Sequence, residues 1–367
     1  MDTNVRERFD LLRFVMIVGV VILHTPEYVP IADVGNDGFS LLKSFFQNAL
    51  FRTTVPVLTF ISGYLVFQAN LDQAPKKLFA KKSRSLLLPF LAFNLPVLAA
   101  VWLAEAVGGI RLSQNLTGYD PMTWLNAAFG LTGSPVNYPL NFLRDMMALV
   151  LVAPLMGLLI RNMPFIGLAV IFWFFLNNYD GALVLRDTMP IVFYLGGLAA
   201  CRRWNLRALD AHAWPFLFAF LLACAAIVAF RIGNTTLLRL AAPLLVWPAS
   251  ALLAGTRLGA WCARMNRYSF FIFVAHAPVL MVTWQWYRRA GDALPYPVYW
   301  ALAPLAVTAT MIGLYKLGMK TVPTLLQTML GGRGRKDGKA PVSQALASAE
   351  VAVLPAAACI DVSATNN

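Results

Sequence analysis

Residues 10–26 read Asp10-Leu11-Leu12-Arg13-Phe14-Val15-Met16-Ile17-Val18-Gly19-Val20-Val21-Ile22-Leu23-His24-Thr25-Pro26. Between Arg13 and His24 no residue is polar, and the apolar run, taken as 11–29, is long enough to span or nearly span a bilayer. Ionisable side chains inside hydrocarbon are costly, hence rare and usually functional. On a helix eleven residues make about three turns, so Arg13 and His24 share a face, roughly 16 Å apart along the axis. Asp10, three residues before Arg13, joins that face. A cation near one membrane surface and a titratable imidazole near mid-membrane read as an active site. The bland alternative is a buried Asp10–Arg13 ion pair beside a packing histidine.

The rest of the chain extends this reading. Of 367 residues 59% are hydrophobic and only 13% charged, against about 25% charged in ordinary soluble domains. Strand-type alternation is absent, which argues against a lipid-facing barrel. The expected fold is all-α, a polytopic membrane bundle of about ten transmembrane helices. The expected spans are 11–29, 46–68, 85–106, 140–160, 163–180, 188–201, 213–231, 237–255, 269–287 and 297–318. The sixth is short, and its Gly196-Gly197 predicts close helix packing. Residues 1–320 form the membrane domain, and 321–367, Ala/Ser-rich toward the end, read as a mostly disordered cytoplasmic tail.

Basic residues set the orientation. With the N-terminus in the cytoplasm and alternating spans, 21 of the 30 Lys and Arg fall inside and seven outside. Such a bias over short loops is a strong topology signal, and it places both termini in the cytoplasm. The same placement in short loops explains the net charge of +13 and argues against nucleic acid. Cys201, Cys224, Cys262 and Cys359 show no CxxC or metal spacing and read as free thiols. No cleavable leader, phosphate-binding Gly loop or zinc spacing appears, and no internal repeat supports an inverted-repeat transporter.

Several further residues carry chemistry in this pattern. His24 reads as a general base, because imidazole titrates near operating pH. Arg13 keeps its proton and suits an anionic donor or developing negative charge. Arg52 lies in the outer half of the second span, followed by Pro56 and Ser62-Gly63. It is read either as an acceptor-side cation or as an arginine reaching the outer interface. Lys76-Lys77-Leu78-Phe79-Ala80-Lys81-Lys82-Ser83-Arg84 is a basic cytoplasmic loop, read as a coenzyme-phosphate site, a topology signal or an anionic-lipid contact. Arg144 and Asp145 open the fourth span at the outer edge, either to position an acceptor hydroxyl or as a solvated helix-start pair. His276 is a second intramembrane imidazole, for the site or for packing. The outer loop 107–139, with Trp124 and Tyr138, is read either as a sugar-receiving loop or as a surface loop of ordinary composition that binds nothing.

Together these segments resemble the acyltransferase-3 family of bacterial membrane acyltransferases over about residues 6–320. Arg13 and His24 match its basic residue, ten others, then His. Asp10-Leu11-Leu12-Arg13 looks like its Asp-x-x-Arg opening, and Arg52 through Tyr64 looks like its Arg-x-x-x-Pro…Ser-Gly-Tyr segment. Lys81 to Arg84 resembles its basic loop, with Lys81 where Arg is common. Tyr138 to Asp145 resembles a Tyr-Pro-x-Trp-Phe-Leu-Arg-Asp block, with Asn141 for Trp. Ser269 to Pro278 resembles a Ser-Phe-x-Ile-Tyr-x-x-His-x-Pro block, with Phe273 for Tyr.

The resemblance implies a multi-pass enzyme of the bacterial inner membrane. It uses acyl-CoA, commonly acetyl-CoA and sometimes the succinyl ester, as donor substrate, with no bound cofactor and no metal. The implied acceptor is a sugar hydroxyl of an extracytoplasmic polysaccharide or lipid-linked glycan, with membrane lipid and polysaccharide assembly machinery as further partners. The expected mechanism places the nucleotide end of acyl-CoA on Lys81 and Arg84. Its pantetheine arm passes Arg13, and its thioester reaches His24, which deprotonates the sugar hydroxyl. Arg52, Ser62, Arg144, Asp145 and His276 support the acceptor side. A glycan transporter or flippase and a non-catalytic scaffold are the rival readings from other classes.

Overall fold

A computed structural model describes residues 2–108, 120–179, 184–291 and 294–333. Every regular element among them is helical. The first half holds α1 (Thr3–Leu23), α2 (Gly38–Ser44), α3 (Thr54–Gln68), α4 (Pro75–Lys82), α5 (Leu88–Gly108), α6 (Pro121–Phe129) and α7 (Asn141–Asn162). The second half holds α8 (Pro164–Leu176), α9 (Met189–Cys201), α10 (Ala213–Ala229), α11 (Thr236–Ala249), α12 (Arg257–Ala290), α13 (Tyr296–Thr321) and α14 (Pro323–Met329).

Six helical stretches are long and apolar enough to cross a membrane: Gly38–Gln68, Pro75–Val107, Tyr138–Asn162, Asp210–Ala229, Arg257–Ala290 and Tyr296–Thr321. Each overlaps one of the ten expected spans. Three further expected spans correspond to shorter apolar helices, Pro164–Leu176, Met189–Cys201 and Thr236–Leu252. Thirteen residues of helix, the length of α8 and of α9, rise only about 20 Å, less than the roughly 30 Å of a hydrocarbon core. Large apolar side chains cover the outside: Phe165 is 80% exposed, Trp173 61% and Leu237 83%. An exterior this apolar belongs in lipid, and the protein is a multi-pass membrane protein.

The first expected span needs correction. The helix covers 3–23, not 11–29, so His24 ends α1 instead of lying within it. Pro26 cannot donate a backbone hydrogen bond and steers Thr25 away from helical angles. The Thr25 hydroxyl turns back to the Val21 carbonyl at 3.1 Å. Hydropathy alone misses this stop, because Val29 and Ile31 continue the apolar composition.

α1 lies in the interior and packs against α12, α3 and α13. Asp10 meets Asn266 near one end and His24 meets His276 near the other, so α1 and α12 run in the same direction. α3 packs closely on α9, where Gly63 lies against the Phe193 carbonyl and Gly196 against that of Phe60. A Cβ at either glycine would collide with the partner backbone. That is the close packing expected at Gly196-Gly197.

Arg8 locks α1 to α11. Its side chain is fully buried, with Nη1 paired to Asp210 at 2.7 Å, Nε donating to Ser250 Oγ at 2.9 Å, and Nη2 donating to the Trp247 carbonyl. Its guanidinium also covers the Trp247 ring at 4.2 Å.

The expected tail begins as folded chain. α14 follows α13, and Leu326 and Leu330 are buried. Residues 334–367 lie outside the described residues, as do 109–119 of the expected outer loop and Cys359. Cys201, Cys224 and Cys262 are free thiols.

Candidate active site

The end of α1 is fixed by side chains that replace the helical partners its last carbonyls lack. The stretch Gly38–Gln68 contains a π-helical turn, Phe45–Ala49, and a 3₁₀ turn, Leu50–Thr53. Such irregular turns rotate side chains out of helical register and often occur at functional sites. Here they bring Gln47 under α1, where its amide donates to the Ile22 carbonyl at 3.2 Å and the Thr25 carbonyl at 2.7 Å. Asn48 donates to the Val29 carbonyl at 3.1 Å, and the Tyr296 hydroxyl donates to the Pro26 carbonyl at 2.8 Å. The turn that carries His24 is therefore held from three sides.

His24 does not stand alone. Its Nδ1 lies 3.0 Å from Nε2 of His276, and the two rings lie nearly parallel, at 6°, with 5.3 Å between centroids, meeting edge to edge. His276 is fully buried on α12, and its Nδ1 lies 2.8 Å from the Phe273 carbonyl and 3.1 Å from the Ile272 carbonyl. Carbonyl oxygens only accept, so Nδ1 of His276 carries the proton. In neutral imidazole the other nitrogen is then bare, and Nε2 accepts from Nδ1–H of His24. The same logic leaves Nε2 of His24 unprotonated. A backbone–His276–His24 chain thus fixes which nitrogen of His24 is basic, as the hydrogen bond made by one ring nitrogen sets the state of the other.

Tyr138 completes the wall. Its ring meets His24 edge-on at 4.7 Å. Asn137, beside it, is buried and donates to the Phe93 and Val274 carbonyls, both at 3.0 Å, tying this loop to α5 and α12.

His24 opens onto a cavity of about 910 Å³ that is also lined by Tyr28, Arg52, Tyr138, Arg186, Thr188 and Arg239. Among the described residues that line it, three carry guanidinium groups and none carries a carboxylate. Arg52 donates from Nε to the Gln47 carbonyl at 3.1 Å and lies over the Tyr28 ring at 5.0 Å. Arg186 is 3.8 Å from buried Asp145, and Arg239 is 3.3 Å from Asp187.

The remaining expected site residues divide. Arg144 pairs with Asp145 at 2.9 Å and donates to the Gly130 and Leu131 carbonyls, so it braces the preceding loop and is not part of the cavity wall. Asp145 also stays outside the wall; it accepts from the Leu185 backbone N–H at 3.1 Å and orients Arg186. Ser62 donates to the Leu58 carbonyl within its own helix at 2.7 Å and does not line the cavity. Asp10 and Arg13 pair at 3.6 Å, both about one-third exposed. Lys81 and Arg84 sit exposed on α4 and the turn after it, away from His24. Arg186 and Arg239 are two of the seven outer charges of the topology count, and contacts between distant loops leave no local pattern that marks them further. Among the described residues no cluster of His, Cys, Asp or Glu could hold a metal.

The model of the acyltransferase-3 family, described as an acyltransferase domain, matches residues 6–316. The chain belongs to this family. The acyltransferase is 32% identical over 351 residues to the succinoglycan biosynthesis protein ExoH of Rhizobium meliloti (strain 1021), covering 91% of this chain and 94% of that one. No solved structure matches the acyltransferase significantly.

Proposed function

We propose that this acyltransferase moves an acyl group from cytoplasmic acyl-CoA to a sugar hydroxyl of an extracytoplasmic polysaccharide or lipid-linked glycan. Counting α1 and the three shorter helices, the chain crosses the inner membrane ten times with both termini in the cytoplasm. The observation that carries the mechanism is the His276–His24 chain, which leaves Nε2 of His24 as a base at a large cavity. In this reading Nε2 takes the proton of the sugar hydroxyl, the hydroxyl oxygen attacks the thioester carbonyl, and the thiolate of CoA leaves. A cation near the carbonyl oxygen stabilises the tetrahedral intermediate. Arg13, about three turns below His24, meets the donor on its way to the thioester position.

Acetyl is the simplest acyl group for this scheme. A second reading, succinyl transfer, is favoured by Arg52, Arg186 and Arg239. A neutral acetyl group and a neutral sugar offer no anion to these guanidiniums, whereas a succinyl chain carries a carboxylate that arginine recognises bidentately. The similarity to a succinoglycan biosynthesis protein points to an exopolysaccharide acceptor for either group.

The test is proton NMR of secreted and envelope glycans from a deletion strain complemented with wild type or His24→Ala. An ester signal that only wild type restores supports the reading, and its shifts separate acetyl from succinyl. Restoration by His24→Ala removes His24 from the chemistry, and an unchanged glycan profile moves the acceptor elsewhere.

A further inference from the structure

The C-terminal end of the described chain returns to the bundle beside Arg13. After α14, Gly331 and Gly332 both adopt positive φ, 71° and 83°. Gly331 lies against the Arg84 carbonyl, where a Cβ would collide. Two consecutive left-handed residues and that close approach require glycine. The turn delivers Arg333 to the start of the α5 region. Arg333 Nη1 donates to the Ser85 carbonyl at 2.8 Å and the Leu330 carbonyl at 3.2 Å. Its guanidinium lies flat over Phe270, 3.6 Å from the ring centroid. Phe270 is six residues below His276 on α12, which places Arg333 roughly 9 Å further down the axis from the histidine pair.

This position gathers like charge. Burial and the neighbouring Arg13 charge pull Arg333 down to about 10. The charges of Arg13 and Arg333 both act on Lys82, and a Cβ at Gly332 would lie 3.5 Å from the Arg84 guanidinium. Against these four cations stands Asp10, which pairs with Arg13 alone. Among the described residues no carboxylate lies within ion-pair distance of Lys82, Arg84 or Arg333. Arg8, five residues before Arg13, shows how this fold treats a purely structural buried guanidinium: it is neutralised by a carboxylate. Arg333 is instead held rigidly by backbone carbonyls and a ring, with its charge uncompensated. Such a group is pre-organised for an anion that binds from outside.

We propose that Arg333, presented by the Gly331-Gly332 turn, is a donor-binding residue that completes a phosphate site with Arg13, Lys82 and Arg84 for the phosphate-bearing end of acyl-CoA. The proposal rests on the acyl-CoA reading above and adds to it a residue beyond the family match, which ends at residue 316. Anionic lipid headgroups offer the same phosphate chemistry, so the test separates the two sources.

The test uses the full-length protein in phosphatidylcholine nanodiscs, with CoA as the calorimetric probe. Arg333→Ala weakens CoA binding about tenfold, the loss expected for one charge-assisted phosphate contact, while Arg333→Lys loses less because it keeps the charge. In steady state Arg333→Ala raises KM for acyl-CoA and leaves kcat within about twofold, a split that uniform binding predicts. A binding loss of similar size in Arg333→Lys together with a lowered Tm assigns Arg333 a structural role and overturns the proposal. So does an Arg333→Ala variant that binds CoA as wild type does in phosphatidylcholine and differs only when phosphatidylglycerol is added, which makes the lipid headgroup the ligand. Wild type that binds no CoA overturns the donor reading itself, a result distinct from either.

Discussion

Arg8 and Arg13 lie five residues apart on the same helix and are treated in opposite ways. Arg8 is fully buried and saturated: Asp210, Ser250 and the Trp247 carbonyl take its N–H groups, and Trp247 covers its face. Arg13 keeps about a third of its side chain accessible, meets Asp10 at 3.6 Å, and shares its surroundings with Lys82 and Arg333. Both break the apolar pattern of a membrane helix. The difference teaches that a charge in such a helix is read by its unfilled valences: a satisfied guanidinium holds helices together, and an unsatisfied one awaits a ligand. Of the cavity arginines near His24, Arg52 has no carboxylate at ion-pair distance among the described residues, whereas Arg186 and Arg239 are paired with Asp145 and Asp187.

Substitution separates the two arginines. Arg8→Ala leaves Asp210 with only the 3.6 Å contact to Arg207 and removes the stack on Trp247. A loss of about 3 kcal/mol is expected, the low end for a broken buried pair because Asp210 reaches water. It shows as protein missing from the membrane fraction and a lowered Tm, and normal accumulation would mean that Arg8 is not structural. Arg13→Ala does the reverse. The protein accumulates, and transfer falls roughly 10- to 100-fold through a higher KM for acyl-CoA, the size of one or two charge-assisted contacts. Loss of protein instead would erase the distinction between the two arginines. Arg186→Ala separates the acyl readings at the other end: succinyl transfer drops about tenfold, while acetyl transfer by the same membranes changes little. Ser62→Ala is expected to stay within about 0.5 kcal/mol in stability and to leave transfer unchanged, since the hydroxyl only bonds its own helix. A marked activity loss there would return Ser62 to the site.

What could be read from the chain alone follows the range of each interaction. Helix positions were legible, because apolar runs are local: each expected span has a helical counterpart. The end of α1 was read too late, since Thr25-Pro26 stops a helix by backbone sterics that hydropathy does not register. His24 and Arg13 stood out as polar breaks in an apolar run. Asp10 and His276 stand out as well, but the pairing of His276 with His24 does not, because 252 residues separate them and no spacing encodes that meeting. The π-helical turn at Phe45–Ala49 was likewise invisible, although it aims Gln47 at the end of α1. The sequence marks Arg144 and Asp145 as an acceptor pair or a helix-start pair, whereas the fold uses Arg144 as a loop brace and Asp145 beside Arg186. Arg186 itself passed as one more outer-loop charge.

The central claim is that Nε2 of His24 is the base, held in that tautomer by His276. The most direct measurement is single-turnover transfer from radiolabelled acyl-CoA in membranes containing wild type, His24→Ala or His276→Ala at matched protein levels. His24→Ala is expected to slow transfer by about 10²- to 10⁴-fold, the usual contribution of a general base, with donor binding intact. His276→Ala is predicted to cost less, because the imidazole of His24 remains but loses its fixed tautomer. Transfer by His24→Ala at the wild-type rate, with the donor bound equally well, would contradict it.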